Sequence, residues 1–306
     1  MTKRIKPGLS VILLVIANLA CSTLMPPAAS QALLTGRIVY QSDLGGNAHL
    51  YSVDVHGGLP RKLTNTSSND VSPTYISATN QIGFSSDRQN GSNLYTMDLN
   101  GGKVTAVTKN KSVGVDYPAW SPDGRQIVAS MSGDCASGTT CKYDIFVMNA
   151  DGSNAINLTN TPTASEWVPA WSPDGQKIAF SSDRDGDSEV YVMDKDGSNV
   201  VQLTNNKGYD GTPRWSPDGK KIAFETDRDG GDWDIYTMNP DGSGPTALTS
   251  NSTSDFGEAW SPDGNWLVYV SNGDGDDEIF IIDKHGQNQS RLTTNVADDK
   301  SPVWVP

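Results

Sequence analysis

The sequence has few of the residues on which metalloenzymes and nucleophilic enzymes depend. Among its 306 residues are three histidines (His49, His56 and His285) and three cysteines, and no G-x-S-x-G motif occurs. A metal-dependent lyase needs more histidine than this, and no serine or cysteine has a plausible base partner in the sequence. We therefore expect a non-enzymatic protein without a resident cofactor.

Basic residues are also scarce. The chain has 23 Lys and Arg against 36 Asp and Glu, which gives a formal net charge of −13 at pH 7. Nucleic-acid binding depends on cationic side chains that displace counterions from phosphates, and no basic stripe is present. Nucleic-acid binding is not expected, and the acidic balance favours a partner with a basic segment.

The only long apolar run lies near the N-terminus. Lys3, Arg4 and Lys6 precede the 12-residue stretch LSVILLVIANLA, and small residues follow it. This stretch is too short to span a bilayer, and the order of segments is that of a secretory signal peptide. We predict a signal peptide over residues 1–30, cleaved near residue 30, and a periplasmic or secreted protein without a membrane span. The alternatives are an uncleaved anchor or a lipid on Cys21, although the residue three before that cysteine is not apolar.

The two remaining cysteines, Cys135 and Cys141, flank five residues of one loop. Exported proteins fold in compartments where disulfides form and persist. Two cysteines without a nearby histidine supply too few ligands for zinc. The sequence therefore predicts a disulfide between them.

Most of the chain consists of one unit repeated six times. The motif WSPDG occurs four times, and its aromatic position recurs at intervals of 44, 45 or 51 residues, at Tyr75, Trp120, Trp171, Trp215, Trp260 and Trp304. A Leu-Thr or Val-Thr pair recurs six times at the same intervals. A period in the forties that contains short strands is typical of a β-propeller with one four-stranded blade per repeat.

Turn chemistry divides each repeat into four strands. In residues 211–249, the segments GTPRW, KKIAFET, WDIYTM and PTALT are predicted strands. Pro217 presets φ for the turn after the first strand, and Gly219 provides the positive φ that closes the hairpin. WSPDG is therefore interpreted as a strand end followed by a hairpin, and its repetition as architectural.

The two ends of the chain complement each other. Residues 37–64 supply a second, third and fourth strand, and Pro302–Val305 supply a first strand with nothing after it. Pairing of the two ends would close the ring and remove its exposed sheet edges. We predict an all-β, six-bladed propeller of antiparallel blades, formed as a single domain by residues 31–306, and a monomer.

The repeat D-x-x-P-x-W-S-P-D-G-x-x-I-x-F, seen for example in residues 210–224, resembles that of the TolB-type β-propellers. The resemblance covers about residues 37–306. It implies a periplasmic protein-binding module, with a peptidoglycan-associated lipoprotein as a partner. Only residues 1–36 precede the first blade, so we expect no counterpart of the small α/β domain that precedes the propeller in full-length TolB.

Acidic and aromatic residues recur just before the innermost strands. The acidic set is Asp70, Asp116, Glu166, Asp210, Asp255 and Asp299, and the aromatic set is Tyr117, Trp167, Tyr209 and Phe256. One interpretation is a ring around the mouth of the channel that binds a ligand or cation. The other is that each carboxylate accepts backbone N–H groups and fixes its loop, while the aromatic rings wedge between blades.

One acidic loop has the alternation expected of calcium ligands: Asp183, Asp185, Asp187 and Glu189. Calcium takes six to eight oxygen ligands, which such a segment could supply in part. The alternative is a solvated turn with an Asp–Arg pair at the surface.

These features lead to two functional hypotheses for the same face. The first is a cell-envelope module that binds a protein or peptide across the acidic, aromatic mouth. The second is a propeller that binds or cleaves carbohydrate there, since aromatic rings beside carboxylates also suit sugars.

Overall fold

The computed structural model describes residues 34–89, 91–109, 114–132, 142–273 and 275–306. Within them, Thr35–Pro306 forms one compact unit of six four-stranded antiparallel sheets arranged as a ring, with no helix. The predicted all-β six-bladed propeller is confirmed. The predicted signal peptide, Cys21 and the Cys135–Cys141 disulfide lie outside the described residues.

Each blade is one sheet, and its strands are numbered here in chain order. Blade 1 contains β1 (Arg37–Ser42), β2 (His49–Asp54), β3 (Arg61–Lys62) and the C-terminal β24 (Asp299–Val305). Blade 2 contains β4 (Asp70–Ile76), β5 (Gln81–Ser86), β6 (Asn93–Asp98) and β7 (Thr105–Ala106). Blade 3 contains β8 (Val115–Trp120), β9 (Gln126–Ser132), β10 (Tyr143–Asn149) and β11 (Ile156–Asn157).

The other three blades follow the same order. Blade 4 contains β12 (Glu166–Trp171), β13 (Lys177–Ser182), β14 (Glu189–Asp194) and β15 (Val201–Gln202). Blade 5 contains β16 (Asp210–Trp215), β17 (Ile222–Thr226), β18 (Asp234–Met238) and β19 (Thr246–Ala247). Blade 6 contains β20 (Asp255–Trp260), β21 (Trp266–Ser271), β22 (Glu278–Asp283) and β23 (Ser290–Arg291).

The two ends of the chain meet in blade 1. Strand β24 pairs antiparallel with β1, and Ile38 lies opposite Trp304 in the register. The Trp304 indole N–H also donates to the Thr35 carbonyl oxygen at 3.1 Å. This pairing confirms the predicted closure of the ring.

The apolar core lies between neighbouring blades. Val39 and Val305 of blade 1 pack with Phe84 of blade 2, and a separate cluster joins Ala223 of blade 5 to Leu267 of blade 6. Strands such as β17 and β21 are buried along their whole length, because both faces of a blade are covered by its neighbours. The ring is therefore held by side-chain packing between sheets.

The WSPDG segments form the predicted hairpin turns. Ser216 Oγ donates to Asp218 Oδ1 at 2.7 Å and accepts from the Lys221 amide at 3.0 Å. Gly219 has φ of +69°, and its N–H donates to the Ser216 carbonyl oxygen at 2.9 Å. The same bonds recur at Ser121, Ser172 and Ser261. The repetition of this motif is architectural, as its turn chemistry indicates.

The outermost strands are shorter than the sequence suggests. In blade 5, β19 has only two residues, where the predicted strand spans 245–249. The Thr249 hydroxyl replaces a backbone partner, because it accepts the Ile235 N–H at 2.9 Å and donates to Asp234 at 3.0 Å. A threonine of each Leu-Thr or Val-Thr pair accepts an equivalent bond in every blade: Thr64, Thr108, Thr159, Thr204 and Thr293.

We predict that Thr249→Val lowers the free energy of unfolding by about 1–3 kcal/mol, because a buried N–H loses its acceptor while the side-chain shape is kept. Urea denaturation measures the change. Thr246→Val, an exposed threonine of the same hairpin, is the control and should change stability by less than about 0.5 kcal/mol. Equal effects of the two substitutions would contradict this role for the repeated threonine.

Candidate binding site at the mouth of the central channel

A bulge in each innermost strand shapes the channel. The pairing register shifts there, and the residue at the bulge has a positive φ between 48° and 65° in all six blades: Ser72, Tyr117, Val168, Thr212, Gly257 and Ser301. Five of these residues are not glycine, so the surrounding sheet must hold a conformation that they rarely adopt. All six line the central cavity.

Two cavities occupy the axis of the ring. The larger, about 520 Å³, extends from the bulge residues to the prolines of the WSPDG turns. The second, about 440 Å³, lies at the other end, where Asp116, Tyr143 and Trp167 form part of its wall. Tyr117 lines both cavities and is 44 % exposed, so it lies between them. The end that holds the second cavity is called the mouth here.

Five of the six predicted mouth carboxylates are internal. Asp70, Glu166, Asp210, Asp255 and Asp299 are all 0 % exposed at the starts of their strands. In this structure they present no oxygen to a ligand, contrary to a ligand-facing ring. Side chains four or five residues earlier in the chain donate to them: Thr66, Thr161, Asn206, Asn251 and Asn295. The carboxylates therefore contact the loops that precede their strands through side-chain donors, where the sequence led us to expect backbone N–H groups.

The remaining carboxylate, Asp116, is partly exposed and lines the mouth cavity. It stands one residue later in its repeat than the others, and Val115 occupies the buried position instead. Ser92 Oγ donates to it at 2.7 Å. Asp116 is thus the member of the acidic set that a ligand at the mouth could contact.

Arginines neutralise three of the buried carboxylates. Arg228 Nη2 lies 2.8 Å from Asp210 Oδ2, while its guanidinium covers the rings of Phe224 and Tyr236 at 5.1 and 5.0 Å. The same arrangement joins Arg88 to Asp70 and Arg184 to Glu166. In the Asp183 loop, where a surface Asp–Arg pair was the alternative to calcium, Arg184 instead reaches inward to Glu166.

Among the described residues, no arginine pairs with the buried carboxylate of blade 1. Asn295 Nδ2 donates to Asp299 Oδ2 at 2.6 Å. Burial, with a contribution from the charge of Glu278, raises the pKa of Asp299 from 3.8 to about 6, against the opposing effect of hydrogen bonds from Ser42, Asn295 and Thr293. Burial also raises the pKa of Asp255 and of Glu166.

The predicted aromatic residues form an arc over blades 3 to 6. Tyr209 stacks on Trp233 with ring centroids 5.3 Å apart, and Phe256 meets Trp233 edge-on at 5.8 Å. The Trp167 indole lies beside the Tyr209 hydroxyl. Tyr209 and Phe256 wedge between blades, whereas Trp233 stays 37 % exposed. Part of the arc therefore packs between blades, while Trp233 remains accessible to solvent.

Gly211 makes room for Tyr209. A Cβ atom at this position would lie 2.3 Å from the Tyr209 hydroxyl oxygen and 2.5 Å from the adjacent ring carbon. The tyrosine thus folds over the start of β16, and its hydroxyl donates to Glu225 Oε1 at 3.2 Å. The sequence shows this only as a glycine where the other repeats have a side chain.

Sequence reasoning missed three charged residues beside the channel: Arg214, Glu225 and Glu258. Glu225 Oε2 accepts the Gly257 N–H at 3.0 Å, and burial raises the pKa of Glu225. Burial and the charge of Glu225 raise the pKa of Glu258 to about 8. The available signal was that Glu225 and Glu258 break the repeat pattern of their positions.

The predicted calcium ligands do not converge. Asp183 accepts the Ser165 N–H at 2.7 Å and lies 3.7 Å from Lys142, while Glu189 is buried and accepts the Asn206 N–H at 2.8 Å. In the described part of the chain, no group of three or more Asp, Glu, His or Cys side chains could hold a metal ion. Calcium at Asp183, Asp185, Asp187 and Glu189 stays a prediction, which a melting temperature unchanged by chelator would exclude.

We predict that Arg228→Met lowers the free energy of unfolding by about 3 kcal/mol, because it leaves the buried Asp210 without its cation. Chemical denaturation measures this loss. Arg125→Met, which removes an exposed arginine from a WSPDG turn, should cost less than about 0.5 kcal/mol. An Arg228 variant as stable as the Arg125 variant would show that the internal pair contributes nothing.

A second prediction concerns pH. The unfolded chain ionises Asp299 above pH 4, whereas the folded protein keeps it protonated to about pH 6, so this residue lowers the free energy of unfolding as pH rises from 4 to 6. Asp299→Asn should remove that loss, roughly 2–3 kcal/mol at 1.36 kcal/mol per pKa unit. Denaturation of both proteins at pH 4 and pH 7 measures the difference.

Asp218→Asn is the control for the pH measurement. A hydrogen bond from Ser216 lowers the pKa of Asp218, so its contribution to stability has the opposite sign and is lost as pH falls. If Asp299→Asn leaves the pH dependence of stability unchanged, the raised pKa is refuted.

No helix among the described residues is long and apolar enough to cross a membrane.

Comparison with known proteins shows which proteins the chain is similar to. It is 31 % identical over 166 residues to a Protein TolB homolog of Chlorobium luteolum, covering 52 % of this chain and 36 % of that protein. It is 36 % identical over 76 residues to Dipeptidyl-peptidase 5 of Porphyromonas gingivalis, covering 25 % of this chain and 11 % of that protein. The chain thus spans about a third or less of the length of these relatives.

The crystal structure of TolB from Acinetobacter baumannii has the same fold. It superposes with a TM-score of 0.74 at 23 % identity, covering 89 % of this chain and 67 % of that one. The family model of the TolB beta propeller domain matches residues 27–129, 110–210, 162–259 and 201–306. Because these matches together extend over nearly the whole repeat region, the chain belongs to the TolB β-propeller domain family.

Proposed function

We propose that the protein is an exported module of the cell envelope that binds a protein or peptide across the mouth of its channel. The carrying observation is the display of large aromatic side chains there, with Tyr117 44 % and Trp233 37 % exposed. Solvent-exposed aromatic rings at a concave site supply the anchors that dominate the energy of protein interfaces.

The charge of the protein defines the kind of segment that fits. The net charge is −13, and partly or fully exposed carboxylates remain near the mouth at Asp116 and in the loops containing Asp185 and Asp229. Such a field accelerates association with a basic segment and weakens as salt screens it. A basic, extended peptide carrying apolar side chains matches both properties.

Family membership and the signal-like residues 1–30 support placement in the periplasm or outside the cell. The resemblance to TolB makes a peptidoglycan-associated lipoprotein the first partner to test. Rigidity also supports a binding role, since hairpins and packed blades fix the mouth while its loops differ from blade to blade.

We predict that Tyr117→Ala weakens partner binding about tenfold or more, because it removes an exposed anchor from the centre of the mouth. Binding is measured with purified peptidoglycan-associated lipoprotein, and with envelope extract by crosslinking and mass spectrometry, at low and high salt. Leu59→Ala is the control, since Leu59 is 98 % exposed on the turn between β2 and β3, at the other end of the blades.

The outcome can contradict the proposal in two ways. A partner retained equally by wild type and Tyr117→Ala would bind elsewhere on the molecule. A partner insensitive to salt would not be steered by the acidic mouth. Unchanged melting of the variant shows that any loss of binding is local.

Carbohydrate is the second candidate for the same mouth, favoured by the exposed face of Trp233 stacked on Tyr209. A glycan array with reducing-end assays tests it. Asp210 and Glu166 are wholly buried and paired with arginines, so they are not placed to act on a sugar. Glycan binding without a protein partner would replace the first proposal.

A further inference from the structure

Three charged residues near the channel interrupt the repeat. Glu258 occupies the position at which the other five innermost strands have proline: Pro73, Pro118, Pro169, Pro213 and Pro302. Glu225 replaces a residue that is glutamine, serine or valine in the other blades, and Arg214 replaces a threonine, alanine or valine. These three residues lie where blades 5 and 6 meet. The repeated scaffold does not require them there, which favours a specific role at this place.

Glu258 is buried without a partner. Its side chain is 1 % exposed, and neither carboxylate oxygen has a hydrogen-bond partner among the described residues. Glu225 is better satisfied, since it accepts hydrogen bonds from Tyr209 and Gly257. A buried carboxylate without a donor is costly, so its retention calls for a compensating group.

Arg214 does not compensate fully. Its guanidinium donates to the neighbouring Pro213 carbonyl oxygen at 3.1 Å, and the charges of Glu258 and Glu225 act on it. Among the described residues, however, it makes no hydrogen bond to Glu258. Two carboxylates beside one guanidinium leave one negative charge when all are ionised. One further monovalent cation carrying N–H donors would balance the charge and satisfy Glu258.

The cluster adjoins the channel. Arg214, Thr212 and Gly257 line the 520 Å³ cavity, and Tyr117 lines both this cavity and the one at the mouth. Glu225 and Glu258 line neither cavity but lie directly beside these residues, since Glu225 accepts the Gly257 N–H and Glu258 follows Gly257 in the chain. The charges of Arg214 and Glu225 act on the Tyr117 hydroxyl, so that ring reaches toward the cluster. A long side chain that enters at the mouth and passes Tyr117 would bring a terminal cation to this wall.

We propose that Glu258 and Glu225 form a subsite for a peptide cation, the ammonium or guanidinium group of a segment bound at the mouth. This inference rests on the proposed function and names the chemistry of its partner. Arg214 lies beside the same subsite and favours a single bound cation over two. The exposed rings of the mouth hold the rest of the segment, while the subsite selects for a basic group.

Protonation provides an independent signature. Glu225, Arg214 and Tyr209 are charged or titratable groups that interact with Glu258, and Tyr117 interacts with Glu225 and Arg214. Burial, with the charge of Glu225, raises the pKa of Glu258 to about 8. Near pH 7 the free protein therefore holds a proton on this pair, and a bound cation favours its release. Calorimetry in buffers of different ionisation enthalpy should register proton release on binding.

The test uses the mature protein and short probes rather than an unidentified partner. The probes are N-acetylated, amidated pentapeptides with a central Lys, Arg or Gln between glycines, and a free-amine version of the Gln peptide. Chelator is present throughout, so that metal ions do not contribute. The ¹⁵N–¹H signal of Gly257 reports on the site, because this amide donates to Glu225.

The expected result is a saturable shift of the Gly257 signal with the Lys or Arg peptide and none with the acetylated Gln peptide. A response to the free-amine Gln peptide would assign the cation to a chain terminus instead of a side chain. Glu258→Gln should weaken the response about tenfold or more, since a hydrogen bond to a charged group is lost. Asp185→Asn, which removes a rim charge, is the control and should have a smaller effect.

Glu258→Pro guards against misfolding, because the other five repeats already carry proline at this position. A Gly257 signal unmoved by all cationic probes, or moved as much in both Glu258 variants as in the wild type, would overturn the subsite. If the variants still bind the envelope partner as wild type does, the subsite fails while the proposed function stands. If only Tyr117→Ala loses partner binding, the proposed function likewise stands without the subsite.

Discussion

The structure depends on the pairing of β24 with β1. This pairing joins the last strand of the chain to the first blade, so all six sheets have four strands and the ring contains no incomplete blade. Every inter-blade core then has two walls, and every innermost strand faces a common axis. The cavities and the mouth exist only because the ring is closed, since an open array would leave blades 1 and 6 without neighbours.

Much of this fold can be predicted from the sequence because local turn residues determine it. Pro217 and Gly219 specify a hairpin without reference to any distant residue, and the six-fold spacing does the rest. The bulges are different, since positive φ at Ser72 or Val168 is imposed by the assembled sheet. The short outer strands also escaped prediction, because the hydroxyl of Thr249 takes a role that the backbone was expected to fill.

The candidate site was predicted only in part. The sequence located the acidic and aromatic residues at one end of the blades, but side-chain direction depends on packing that sequence spacing does not report. Asp210 therefore proved internal and paired with Arg228, whereas Asp116, shifted by one residue, reaches the cavity. In a repeat protein the shared residues maintain the scaffold, so residues that depart from the repeat, such as Glu258, are better indicators of function.

The two-residue outermost strands limit strand pairing between molecules. A strand of this length offers too few free N–H and C=O groups to template an incoming strand, and its neighbouring threonine has already capped the ladder. The rim of the disc is thus poorly suited to recruiting other chains by sheet extension.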